Sequence, residues 1–135
     1  MNIAAILDHL YPGVTIGTGM DCNIEKIGDV VSVVHWSRPE PQPTQAEIEA
    51  AALPVSKAQR ITEINTECRA RLLSRFGDPA EQVSRAIGVY GLAEKSALET
   101  GIAATIDASN TASDAVTAAT TIAEVEAVTV AWPVI

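Results

Sequence analysis

Apolar residues at positions 3, 6, 7 and 10 recur at the step of a helix, and Pro12-Gly13 breaks the pattern, so residues 2–10 read as a short amphipathic helix. Residues 17–19 read as a loose connection. From residue 20 the step changes to two: "MDCNIEKIGDVVSVVHWS" predicts two strands joined at Gly28-Asp29, a dipeptide suited to a type II′ turn. That turn would set Ile27 opposite Val30, Ile24 opposite Val33 and Cys22 opposite His35. Met20, Cys22, Ile24, Val31 and Val33 then share the face that rests on the helix. A helix-hairpin piece of roughly 37 residues is too small to fold well alone and needs something to lean on.

The alternation ends at Trp36. Pro39, Pro41 and Pro43 follow at every second position, each restricting its own φ and the residue before it, so the segment is expected to be extended and to act as a stiff spacer. Thr44 and Glu47 then form a T-x-x-E capping box, which starts a helix.

Helical spacing holds from there onward. Ser56 and Gln59 form a second box behind Pro54, and Ile61, Ile64, Cys68, Leu72 and Phe76 trace one stripe that Gly77 can terminate. Asp78, Pro79 and Glu81 combine N-cap, proline at N1 and acidic N3, with Val83, Ile87 and Tyr90 expected to face inward. Leu98, Ile102 and Ile106 step by four through a stretch rich in Ala, Ser and Thr. Small residues there point to tight antiparallel or intersubunit helix packing, with disorder as the competing reading. Thr121 and Glu124 make a last capping box, opening a short helix that Pro133 would end.

The pattern therefore predicts a mainly α chain with a small α+β N-terminal module. Its parts are a helix plus β-hairpin over 1–38, a Pro-rich spacer over 39–43, and a helical bundle or hairpin over 44–135 that oligomerises. Composition supplies the reason for oligomerisation. Aromatic residues make up 4% of the 135, so the interior must be built from small aliphatic side chains, and burial against other subunits would complete it. The net charge of -8 argues against nucleic acid and against an anionic membrane surface. No apolar run is long enough to span a bilayer, and the N-terminus lacks the basic start of a signal peptide.

Candidate chemistry is sparse. Cys22 and His35 are the one Cys/His pair the hairpin brings together, and a small cytosolic enzyme using them is a minor alternative. No orienting third group or further ligand accompanies them, and a core cysteine beside a rim histidine is the simpler account. Two cysteines, Cys22 and Cys68, make no disulfide framework. "GVTIGTG" lacks the Gly-Lys-Ser/Thr of a phosphate loop and reads as a connection. Asp107 and Asp114 suit a solvated edge. Arg69, Arg71, Arg75 and Arg85 sit amid acidic residues, which suggests helix-surface ion pairs first and an acidic protein partner second. No catalytic residue, cofactor or metal is expected. Trp132, near the C-terminal Pro133, either folds back onto the bundle or docks in a partner.

Leu10-Tyr11-Pro12, a strand ending in Trp36, and Pro41-Gln42-Pro43-Thr44 with Glu47 together resemble the opening of small tail-associated proteins of tailed bacteriophages. "ITEINTECRARLLSRFG" and "TTIAEVEAVTVAWPVI" are similar to helical C-terminal regions of tail-fibre and tail-fibre assembly proteins. The resemblance implies a non-enzymatic structural or interaction protein of the tail, at the tail proper, fibre or baseplate, with a transient tail-fibre assembly chaperone as the alternative. It also implies other tail or fibre proteins as partners and a place in the virion tail after assembly in the host cytoplasm; the homo-oligomer is expected from the aromatic-poor composition. The residues set to meet partners are Trp36, Pro41, Pro43, Leu98, Ile102, Ile106 and Trp132.

Overall fold

Asn2 accepts the amide of Ala5 and opens α1 (Ile3–Leu10), whose Ile3, Ile6 and Leu7 are buried at the spacing expected. The computed structural model describes residues 2–27 and 30–134. After α1 come β1 (Cys22–Ile27), β2 (Val30–Trp36), α2 (Gln45–Phe76), α3 (Pro79–Ala86), α4 (Leu92–Ala118) and α5 (Ile122–Ala127). The chain is mainly helical, with one antiparallel two-stranded hairpin near its start. It divides into two compact units, Met1–Ala58 and Gln59–Ile135, and the division falls inside α2.

In the first unit the hairpin keeps the expected register from Ile27↔Val30 to Ile24↔Val33 and then departs from it. A bulge between Asn23 and Ile24 pairs Asn23 with His35 and Cys22 with Trp36, so Cys22 does not face His35. The surplus residue is Val34, 55% exposed; one extra residue on one strand shifts every pairing beyond it. The Gly28-Asp29 turn lies outside the described residues. Cys22, Val31 and Val33 are buried as expected, whereas Met20 is exposed.

The segment before β1 is not loose. Thr15 and Asp21 exchange hydrogen bonds, Thr15 N–H to Asp21 Oδ2 at 3.0 Å and Asp21 N–H to Thr15 Oγ1 at 3.2 Å, while Gly17 N–H donates to the Cys22 carbonyl. The Thr15 amide bond, reinforced by its hydroxyl, holds the Asp21 carboxyl below its ordinary range. What the helix and hairpin lean on is the start of α2: Ile48, Ala51, Ala52 and Val55 complete the buried set of this unit.

α2 begins where the capping box places it. Thr44 N–H donates to Glu47 Oε2 at 2.7 Å and Glu47 N–H to Thr44 Oγ1 at 3.2 Å. The second box, Ser56 and Gln59, starts nothing: α2 runs unbroken for 32 residues with Pro54 inside it. A proline removes one i→i−4 bond and crowds one carbonyl, a cost that long helical stretches on both sides can absorb.

In the second unit Ile64, Cys68 and Phe76 of α2 are buried, and so are Leu98, Gly101, Thr105, Ser109, Ala112 and Val116 of α4. The two helices run antiparallel: Cys68 Sγ–H points at the Thr105 carbonyl at 3.9 Å, and Ser109 Oγ lies 3.4 Å from Asn65 Oδ1. The Ala/Ser/Thr-rich stretch is thus a single helix paired with α2. α3 carries the Asp78-Pro79-Glu81 start as a complete capping box, yet buries none of its residues. Val83, Ile87 and Tyr90, expected inward, are 61%, 73% and 52% exposed.

α5 has the Thr121/Glu124 box but ends at Ala127. Pro133 does not terminate it. A six-residue helix leaves Val128 to Val134 as non-helical chain.

Candidate interaction surfaces

In the first unit, the proline segment is bound rather than free. Trp36 Nε1–H donates to the Glu40 carbonyl at 2.6 Å, Tyr11 O–H to the Pro41 carbonyl at 2.9 Å, and Gln42 Nε2–H to the Val33 carbonyl at 2.7 Å. Tyr11 meets Trp36 edge to face, with centroids 4.9 Å apart and planes at 63°. Arg38 and Glu40 pair at 3.2 Å. Side chains bonding the Pro-rich carbonyls satisfy backbone acceptors that no strand or helix uses. Trp36 is half-buried against Tyr11, Pro41 is exposed and Pro43 is buried. Beside Pro43 lies a cleft of about 380 Å³ lined by Ser32, Val33, Gln42, Pro43, Thr44, Gln45 and Ile48.

The second unit carries a groove that holds its own tail. Arg60 Nη2–H donates to the Val128 carbonyl at 2.8 Å, and the Arg71 guanidinium sits 4.9 Å over the Trp132 ring. Pro133 and Val134 line one cleft together with Arg75, Phe76, Ala97 and Gly101. The tail therefore passes along α2 and α4 from Arg60 toward Arg75. About four helical turns between these arginines match the reach of about seven extended residues. The groove floor consists of Ala97, Ala104, Ala108, Thr111, Ala112 and Ala115, so the small side chains of α4 leave room for the tail. Clefts of about 400, 770 and 370 Å³ border it.

Trp132 lies folded back and half-buried beneath Arg71. Along α4, Leu98 is buried, Ile102 half-buried and Ile106 43% exposed.

A third surface went unread in the sequence. Val83, Ile87, Val89, Tyr90 and Leu92 are all more than half exposed within ten residues. The turn that ends α3 explains their setting. Gly88 has φ +84°, its N–H bonds the Arg85 carbonyl, and the Val89 N–H bonds the Ser84 carbonyl, the double bond pattern of a Schellman cap. Two signals could have exposed the surface. Gly88 marks a C-cap, and an eight-residue helix with so few apolar positions has little to bury.

Two arginines near this surface share one carboxylate. Arg85 and Arg75 both pair with Glu94, and Arg85 also lies over the Tyr90 ring. Arg71 pairs with Glu67 at 2.8 Å, as helix-surface charges were expected to. Cys22 and Cys68 are free and buried, and burial pushes the Cys22 thiol up. Among the described residues no group of three or more His, Cys, Asp or Glu could hold a metal, and no helix is long and apolar enough to cross a membrane.

Residues 3–60 match the family model described as XkdW protein, a phage-associated family, and the match supports a phage protein. No curated protein and no solved structure matches the chain. The matched span nearly coincides with the first compact unit, Met1–Ala58.

Proposed function

We propose that this chain is a non-enzymatic interaction protein of a phage tail, built into the particle at the tail, fibre or baseplate. The observation carrying this reading is the coincidence of the XkdW match, residues 3–60, with a compact unit that has its own buried set. A span shared as a family and folded as a unit is what a common attachment module requires, and the remaining residues are then free to suit one partner. The Tyr11/Trp36 clamp shapes the Pro39 to Pro43 segment into a fixed ridge, which suits docking better than a mobile spacer would. Exposed apolar side chains on the second unit supply a further surface for other subunits.

Quantitative mass spectrometry of purified virions tests the reading. Recovery at stoichiometric copy number is the expected result. Absence from particles, with capture of fibre protein from infected lysate, would replace it with the assembly-chaperone alternative.

A further inference from the structure

We infer that the apolar face of α3 and its exit turn is where a second copy of this chain docks, the same face pairing with itself across a two-fold axis. The inference rests on the interaction role proposed above and names one partner for it.

α3 buries no residue, although its apolar positions fall on one side. Val83, Ile87, Val89, Tyr90 and Leu92 are 61%, 73%, 67%, 52% and 82% exposed. The Schellman bonds fix the backbone from Ser84 to Val89, so the exit turn continues directly from the exposed side of the helix, and this cap commonly sets the residue after its glycine on the side of the one at C4, here Val89 and Val83. Single exposed apolar residues are ordinary; five large ones within ten residues form a patch that marks an interface. Their exposed surface comes to at most on the order of 600 Å² per copy, so complete mutual burial of two such faces would remove up to about 1,200 Å² from water, the lower edge of specific interfaces.

Charge selects a second copy as the occupant. Copies of a chain with net charge -8 repel overall. The stretch from Pro79 to Ser96 nevertheless carries Glu81, Arg85, Glu94 and Lys95, which cancel, whereas residues 97–127 carry five acidic residues and no Lys or Arg. Glu81 bonds the Asp78 amide, and Arg85 pairs with Glu94. The patch is therefore apolar with a balanced, largely self-paired rim. Such a face complements itself, as an isologous contact demands, and offers a charged partner little.

Sedimentation equilibrium of the full chain from about 1 to about 500 µM brackets the affinity of an interface of this size. The weight-average mass is expected to rise from 14.2 kDa toward twice that value. Ile87→Glu with Leu92→Glu should hold the mass at the monomer value with an unchanged far-UV circular dichroism spectrum. Ile87→Ser with Leu92→Ser should weaken pairing at least tenfold should the glutamates unfold the chain, and Ile106→Glu on α4 should leave it intact. A wild-type chain monomeric throughout, or a folded double variant that still pairs, overturns the inference. A monomer found in virions defeats the pairing and spares the tail reading; a dimer absent from virions does the reverse.

Discussion

Tyr11 and Trp36 touch edge to face at 4.9 Å, and each gives its one polar hydrogen to a neighbouring backbone carbonyl, Pro41 for the phenol and Glu40 for the indole. Two rings from different elements thus grip consecutive peptide groups of the proline segment. Tyr11→Phe keeps the ring contact and loses one hydrogen bond, so it should cost about 1 kcal/mol of stability. Trp36→Ala removes both and should cost about 3 kcal/mol. Urea unfolding of the two variants against wild type checks the order and the gap.

Pro54 stands exposed in the interior of α2 and, having no N–H, cannot give the Ala50 carbonyl its helical donor. Pro54→Ala should restore that bond and stabilise the chain by about 2 kcal/mol. A higher urea midpoint with an unchanged slope is the expected result.

Phe76 is the one phenylalanine of the chain, 1% exposed, with Arg75 4.9 Å over its ring. An aromatic-poor interior has nothing large to move into the space it would leave. Phe76→Ala should cost about 4 kcal/mol. Scanning calorimetry should show a lowered or separate transition for the second unit.

Arg60 fastens the start of the tail through the Val128 carbonyl. Arg60→Ala should cost about 1 kcal/mol and loosen the residues beyond α5. Limited proteolysis should cut the variant after residue 128 several-fold faster than wild type, with mass spectrometry locating the cut.

Glu47 and Glu124 accept backbone amides at helix starts, from Thr44 in one case and Thr120 in the other, and these bonds hold both carboxyls below their ordinary value of 4.5. A carboxyl depressed in the folded state stabilises above its unfolded pKa and loses that contribution as pH falls through the folded value. Stability should therefore decline on acidification below 4.5, and Glu47→Gln with Glu124→Gln should flatten that decline. Urea midpoints measured between about pH 2 and pH 6 give the comparison.

Local signals carried much of the fold. The Thr44/Glu47, Asp78/Glu81 and Thr121/Glu124 boxes all open helices, because a cap depends on a few adjacent residues and little else. The Ser56/Gln59 box failed because it lies within a helix already running, where its polar groups have no free amide to satisfy. The bulge at Val34 was illegible, since alternation reports faces but not a one-residue slip in pairing. Of the surfaces, Trp36 and Trp132 were visible as costly rings near proline. Their partners, Tyr11 and Arg71, were not, because those contacts join residues far apart in the chain. Val83 and Ile87 have helical spacing like any core pair; whether anything covers them is a tertiary fact that spacing does not encode.

The two tryptophans are divided one to each unit, Trp36 in the first and Trp132 in the second. Indole emission can therefore be assigned by address: Trp36→Phe leaves a chromophore that reports only the tail beneath Arg71, and Trp132→Phe leaves one that reports only the ring pair with Tyr11. Two single-fluorophore chains would follow the family-matched first unit and the second unit as separate signals in the same titration, whether of denaturant or of binding partner.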